Sequence, residues 1–401
     1  MKRTINELGL LGGEKLFPSF LPVGQINIPQ WERFQEKAEG IFARHYYTNY
    51  GTLALELEEK LCHLFQTRHC LTVSNATTGL SIACKAMGLP PGGKVIVPAF
   101  TFAATIQALT WAGLEPVFCD IDAQSHCITP KTIIPCLAVP GIVAILGVHL
   151  WGNACDIDGL KSIAQAHDLQ IFYDATHAVG CSYQGKRIGG FGECEVFSMH
   201  ATKILSSTEG GCIATDDDKL AERIRNIRSC YGRRHKVPVS ITANGRFSEL
   251  QAAFGLLSLE DLPDNIAANK ARLILYHDLL GTIPGVKPVP PNKEEHHNYQ
   301  YVVLEIDKQA FGLDRDTLVK ILEAENILAR RYFVPGMHRC EPYKTDLPQY
   351  LDALPVTDSL CKKVMQLPSG QLVSNEDVSK ICELIRFIQA NAKNITEVLP
   401  Q

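Results

Sequence analysis

The stretch "SMHATKILSSTEGG", residues 198–211, lies between "CEVF" (194–197) and "GCIATDD" (211–217), two runs of apolar and β-branched residues. Both runs have the length and composition of buried strands. The connection between them is too short for a helical crossover, so the pair is expected to run antiparallel. Lys203 sits in that connection. A solvated lysine needs no such setting, whereas one held ready to react with a carbonyl does.

Upstream, from residue 70, short apolar runs alternate with helical windows. The runs are "CLTV", "KVIVPAF", "PVFCDID", "IVAILGVHLWG" and "LQIFYDA"; between most of them lie windows such as "TTGLSIACKAMG", "AATIQALTWAG" and "IDGLKSIAQAHD". This alternation predicts an α/β domain with a mostly parallel central sheet and helices on both faces. Ahead of it, "FPSFLPVGQINIPQ" (17–30) is rich in Pro and Gly and is expected to be irregular, followed by helical spacing in "PQWERFQEKAEGIFARHY" and "ELEEKLCHLF". After it, "SELQAAFGLLSLEDL" reads as a long helix leading into a smaller C-terminal α+β unit with "YQYVVLEI", "TLVKILEAENI" and "DVSKICELIRFIQANA". The expected organisation is an N-terminal arm over 1–50, a large α/β domain over 51–255 and a small α+β domain over 256–401.

Composition narrows the class. The 401 residues are 46% apolar and 20% charged, ordinary soluble usage, and the net charge of −4 leaves no footprint for nucleic acid. The fourteen cysteines contain no CxxC pair, and Cys119, Cys212 and Cys382 lie in apolar runs; they read as reduced thiols of a cytoplasmic protein. The start "MKRTINELGLLGGEKLF" has no signal-type apolar region, and no run reaches membrane-spanning length, so neither secretion nor insertion is expected.

The chemistry-bearing residues fall at strand ends. "YDATHA" (173–178) closes an apolar run with Asp174 and carries His177 three residues on. A buried carboxylate needs a cationic partner or hydrogen bonds, and open α/β sheets bind ligands at that edge. Pyridoxal phosphate (PLP) needs a lysine for its aldehyde and a carboxylate against its ring nitrogen. "SNATTGLSIAC" offers a helix N-terminus for a phosphate, with Thr77 or Thr78 adding a hydroxyl and Ser198 a further one. Phe102 of "AFTFAAT" sits where a ring needs a lid. Each residue alone has a plainer reading: a solvated lysine, an N-cap aspartate, a core phenylalanine, a hydrogen-bonding structural histidine. Together they are what one ligand requires at one sheet edge.

The segment "SMHATKILSSTEGGCIAT" resembles the "S-F-H-x-T-K…G-E-G-G" region of the DegT/DnrJ/EryC1/StrS aminotransferases, PLP-dependent nucleotide-sugar enzymes of fold type I. Six further segments resemble that family in order: "YYTNYGTLALELEEKL", "VPAFTFAAT", "VHLWGNACDID", "DATHA", "NGRFSELQAAFG" and "RRYFVPGMH". The resemblance implies that Lys203 is the imine-forming lysine and proton carrier, that Asp174 pairs with the pyridine nitrogen, and that His177 lies on the phenolic-oxygen side. It implies Ala76, Thr77 and Ser198 at the phosphate, Phe102 stacked on the ring, and Asn244 reaching the phosphate of a neighbouring subunit in a homodimer. Glu209, Arg331 and Tyr332 are carried over as substrate-side residues. Met199 replaces the family's usual aromatic, and Thr52 stands where proline is common. Lys203 itself favours amino transfer, since relatives with histidine there are sugar dehydratases.

The expected reaction moves an amino group from L-glutamate to a keto-sugar nucleotide, with a dTDP-4-keto-6-deoxyhexose favoured. A keto-cyclitol or 3-keto-sugar enzyme of the same family, a PLP-dependent lyase, or a non-catalytic PLP-binding regulator are the competing readings. Two further segments carry weaker signals. "EEHHNYQY" (294–301) reads as structural or as part of the sugar-nucleotide pocket rather than a metal site, since adjacent histidines on a strand face opposite ways. "RIRNIRSCYGRRHK" (223–236) is basic enough to attract a diphosphate, and equally reads as a solvated helix and loop. No metal is expected.

Overall fold

The computed structural model describes residues 2–232, 236–292 and 295–398. Four N-terminal helices bear on the site: α1 (Trp31–Arg44), α2 (Thr52–Phe65), α3 (Ala76–Ala86) and α4 (Ala103–Trp111). The strands are β1 (His69–Val73), β2 (Lys94–Pro98), β3 (Glu115–Cys119), β4 (Ile142–Val148), β5 (Gln170–Asp174), the short pair β6 (Ser182–Tyr183) and β7 (Lys186–Arg187), β8 (Glu195–Ser198), β9 (Gly211–Thr215), β10 (Val286–Pro288), β11 (Val302–Ile306), β12 (Arg330–Arg331) and β13 (Val364–Leu367).

Seven strands form the main sheet in the order β1-β9-β8-β5-β4-β2-β3. The five from β8 to β3 are mutually parallel, while β9 runs antiparallel to both β8 and β1. The antiparallel turn at Lys203 expected from its short connection is therefore present. Strand alternation divides the apolar side chains between the two faces. Val95, Val97, Ala144, Leu146, Phe172 and Val196 pack against α3, α4 and the Asp218–Arg228 helix. Ile96, Ile145 and Tyr173 face the Ile157–Ala166 helix, and Phe197 and Cys212 face α2 and the Glu249–Glu260 helix. A buried Leu or Phe contributes ~1.5–3 kcal/mol, an exposed pair such as Lys60–Glu56 well under that.

A second, antiparallel sheet has the order β10-β11-β13-β12. Its core includes the Leu262–Leu280, Arg315–Ala324 and Asn375–Ala390 helices, together with Leu8, Phe17 and Leu21 of the N-terminal arm. Ahead of α1 the arm is irregular beyond two short 3₁₀ turns, as the composition of 17–30 predicts for that stretch, yet it is firmly docked. Buried Glu325 accepts the backbone N–H groups of Gly9 and Leu16, each at 2.7 Å, and pairs with Lys2 at 3.0 Å. From there the arm crosses from the small sheet to the lysine turn.

Candidate active site

The turn carrying Lys203 is held by backbone bonds on both sides. Met199 N–H donates to the Gly210 carbonyl and Ser207 N–H to the Met199 carbonyl, both at 2.8 Å. Met199 is fully buried in the cluster with α2 and the Glu249–Glu260 helix, so the residue that departs from the motif still packs in the core. The arm clamps the residues flanking the lysine: Gln25 N–H donates to the Thr202 carbonyl (3.1 Å) and Asn27 Nδ2 to the Ile204 carbonyl (3.0 Å). Gln300 Oε1 accepts from Ile204 N–H at 3.0 Å. A Cβ on Gly24 would meet Thr202 Cβ at 2.8 Å, which is why the arm passes this point as glycine.

Lys203 faces a cavity of about 470 Å³, which Asp174, His177, Ser198, Ala76, Thr77 and Phe102 also line. The seven residues expected to share one site from this chain therefore do. Burial lowers the Lys203 pKa from its ordinary 10.5 to about 8; the Asp174 charge opposes this and Arg330 adds to it. The amine is thus partly free near neutral pH, as a nucleophile or proton carrier requires. Its Nζ lies 2.9 Å from the Tyr301 hydroxyl.

Asp174 ends β5 and is buried, with one oxygen accepting from Thr105 Oγ1 (2.7 Å) and the other from Thr176 N–H (3.1 Å). Among the described residues no ion pair joins it to Lys203. Amine and carboxylate face one cavity without touching, which leaves room for a ring between them. His177 stacks on Trp151 and accepts its backbone N–H at Nδ1 (3.4 Å). Burial, then the Lys203 charge, pushes the His177 pKa well below the usual imidazole value. The ring is neutral and carries its proton on Nε2, a donor for an oxygen anion.

At the other end of the cavity, α3 begins. Asn75 caps it by accepting from Thr78 N–H at 2.8 Å, leaving the first amides of the helix for an external anion. A Cβ on Gly211 would stand 2.9 Å from Ala76 N, so the glycine keeps that cradle open. Phe102 occupies the N-cap of α4 and is 61% exposed, free to cover a flat ligand. Amine, separated carboxylate, neutral imidazole donor, anion cradle and aromatic cover match the groups that PLP presents. The donor set fits that cofactor.

The opposite wall is largely unmarked in the sequence. It comprises Val23 and Gly24 of the arm, Gln300 and Tyr301 ahead of β11, Arg330, Tyr332 and Phe333, and Gln366 of β13. Arg331, expected on the substrate side, lies off the cavity and within 3.7 Å of Asp316. The reason is strand parity: Arg330 pairs with Gln366 in register and Arg331 with Met365, so the neighbouring arginine takes the cavity face. Tyr332 is in the wall as expected. The Gln366 amide donates to the Val23 carbonyl (3.0 Å), while its buried Oε1 has no partner in the described protein. Glu209 also lies off the cavity, exposed and 3.5 Å from His200 Nε2. Asn244 is exposed and accepts from Arg246 Nε; it does not line this cavity.

The two weaker segments resolve unevenly. His296 is exposed and His297 buried, on irregular backbone rather than a strand; Glu294 lies outside the described residues. In the basic run, Arg228 is buried and bonded to Glu58 and the Thr72 carbonyl, so it braces β1 instead of meeting solvent. Arg233, Arg234 and His235 of that run lie outside the described residues. A signal for Arg330 exists in the alternation of "RRY"; none in the sequence marks Val23, Gly24 or Gln366.

Comparison with known proteins places this geometry. The sequence profile of the DegT/DnrJ/EryC1/StrS aminotransferase family matches residues 30–386. The chain is 32% identical over 369 residues to the dTDP-4-amino-4,6-dideoxy-D-glucose transaminase of Escherichia coli, covering 91% of this chain and 98% of that one. It is 32% identical over 338 residues to the GDP-perosamine synthase of Caulobacter vibrioides, covering 82% and 88% respectively. Among solved structures, that of DesI in the presence of its TDP-sugar product superposes with a TM-score of 0.93 at 36% identity, covering 98% of this chain and 99% of that one.

Proposed function

The chain belongs to the DegT/DnrJ/EryC1/StrS aminotransferase family, and from that premise we propose that it transfers an amino group from L-glutamate to a keto-sugar nucleotide, a dTDP-4-keto-6-deoxyhexose, with PLP as cofactor. The observation that carries the reading is the Lys203 amine and the Asp174 carboxylate facing one cavity with no ion pair between them. The nucleotide and ring position rest on the relatives, one named as a dTDP-4-amino-4,6-dideoxy-D-glucose transaminase and one solved with a TDP-sugar product.

PLP supplies an aldehyde that takes up amines and a ring that accepts electrons from the adjacent carbon. The rest is work for this chain. Ala76 and Thr77 amides and the Ser198 hydroxyl hold the phosphate, and Phe102 covers the ring. Asp174 keeps the ring nitrogen protonated, its own orientation set by Thr105 and Thr176. His177 donates from Nε2 to the phenolic oxygen. Lys203 would carry the proton between the donor's Cα and the cofactor's C4′; a positioned proton carrier of this kind contributes ~10²–10⁴-fold. The same residues act in reverse on the keto sugar.

The functional unit is a homodimer in this reading, with Asn244 of the partner subunit reaching the phosphate. Tyr46, Tyr47, Leu55 and Leu250 support it: each is more than two-fifths exposed. They lie on segments joined by the Thr48–Ser248 bridge, beside Asn244. Localisation in the cytoplasm is part of the same proposal; among the described residues no helix is long and apolar enough to cross a membrane.

The test is the visible absorbance of the PLP-loaded protein before and after L-glutamate, followed by a panel of keto-sugar nucleotides. Loss of the lysine-bound band on adding glutamate supports the first half of the transfer. A band that glutamate leaves unchanged points to another donor, a lyase or a regulator. Lys203→Ala is expected to bind PLP without that band and to lose transfer altogether; surviving turnover would sink the assignment.

A further inference from the structure

Tyr301 precedes β11 on the wall opposite the main sheet, with its hydroxyl 2.9 Å from Lys203 Nζ. The residue is 8% exposed, and its ring packs 4.2 Å from His177 and 5.6 Å from Trp151, so the phenol has little freedom. Burial raises the Tyr301 pKa well above the usual phenol value, so the group stays an uncharged O–H. A neutral hydroxyl accepts one N–H from a lysine whether that lysine is amine or ammonium.

We propose that Tyr301 is a further catalytic residue of the amino transfer. Its hydroxyl accepts an N–H of Lys203, turns the amine's lone pair toward the cavity, and supports the ammonium that exists between taking the substrate proton and returning it. The inference rests on the aminotransferase reading of the site. No bond to Tyr301 forms or breaks: the proton moves from substrate carbon to Lys203 and back, and the hydroxyl stays a phenol throughout.

The groups facing Lys203 are Asp174 at the end of β5, His177 in the turn after it, His200 in the lysine's own loop, Tyr301, Arg330 of β12 and Tyr332 just after it. His177 is held neutral. Burial and Arg330 disfavour the ammonium, and Asp174 favours it. Tyr301 adds an uncharged acceptor on the Asp174 side of that balance. Hydrogen bonds to charged groups are stronger than neutral ones, and leaving the ammonium without this acceptor lowers its pKa by about one pH unit.

Tyr301→Phe keeps the ring and removes only the hydroxyl. Full-length wild-type and variant protein, freed of PLP, are mixed with PLP across pH 6 to ~10, and the growth of the visible band is timed. Only the free amine reacts, so the rate reports Lys203 directly. The wild-type rate is expected to half-rise near pH 8 and that of the variant about one pH unit lower. In steady state the variant's kcat falls ~10-fold with KM nearly unchanged, the pattern of a lost proton-transfer contact. The same half-rise and the same kcat in both proteins would overturn the role of Tyr301 and leave the aminotransferase reading standing. A wild-type protein that gains no visible band would overturn both.

Discussion

The wall of the cavity on the main sheet is built from four segments, each with its own signal: the capped start of α3 at Ala76 and Thr77, Phe102 ahead of α4, Asp174–His177 from the end of β5, and Ser198–Lys203 from the end of β8. The wall facing it is assembled from 23–24, 300–301, 330, 332–333 and 366, pieces of an arm and a small antiparallel sheet that lie far apart along the chain. In the first, parallel strands all end at one edge, so anything placed at a strand's C-terminal end joins the site. In the second, membership is decided by pairing register and by where an irregular arm crosses. Most of the proposed chemistry sits on the wall fixed by topology; the wall fixed by register contributes Tyr301 and otherwise shapes what enters.

That division predicts a split in kinetics. Asp174→Asn removes charge from the sheet-edge wall while Thr176 N–H can still bond the side-chain oxygen. Turnover should fall ~10²–10³-fold, as for loss of one preorganised electrostatic partner. KM should move little and stability should drop by no more than ~1–2 kcal/mol. Steady-state kinetics together with denaturant unfolding check this. A large KM change with kcat preserved would dissolve the distinction between the walls.

The sheet-edge wall should also show that it is built for reaction at the expense of stability. A lysine whose pKa falls from 10.5 to about 8 on folding disfavours the folded chain wherever it is charged. Below pH 8 the unfolded and folded chains both carry the charge and the full cost applies, ~3 kcal/mol at ~1.4 kcal/mol per pH unit. Between pH 8 and 10.5 the folded chain sheds its proton first and the cost fades, to vanish above 10.5. Lys203→Met, without PLP, should therefore be more stable than wild type at pH 7, with the gap closing as pH rises to ~10.5. Urea unfolding of both proteins at several pH values measures the gap; one that is independent of pH would show that the lysine is not strained by burial.

The same contrast governs how much of the molecule is legible in one dimension. Lys203, Asp174 and the α3 cradle stand out because each follows an apolar run, and a strand end is visible in the sequence. The antiparallel turn is implied by the shortness of its connection. Nothing comparable announces Gly24: its role comes from passing so close to Thr202 that an added Cβ would stand 2.8 Å from the threonine's Cβ, an approach between segments far apart in sequence. Gln300 and Tyr301 are visible only as part of an aromatic-rich stretch, because the backbone ahead of β11 is irregular and alternation cannot assign its faces. A motif match selects Arg331 over Arg330 because it fixes the neighbourhood of a residue and not the parity of its strand.

Arg330 and Arg331 make the smallest and sharpest test, since they are adjacent, share a side chain and differ only in the face they occupy. Arg330 stands in register with Gln366, whose Oε1, without a partner among the described residues, and fixed amide sit on the same wall. Its guanidinium bonds the Tyr332 hydroxyl at 3.2 Å. Arg331 spends its charge on Asp316 at the surface, a pairing worth ~0–1 kcal/mol. Arg330→Ala should raise KM for an anionic substrate ~10-fold, about 1.4 kcal/mol of binding, with kcat within a factor of about two. Arg331→Ala should leave both constants within that factor. Equal effects from the two substitutions would mean that charge near the entrance, rather than register on β12, is what the substrate senses, and the second wall would then be no wall at all.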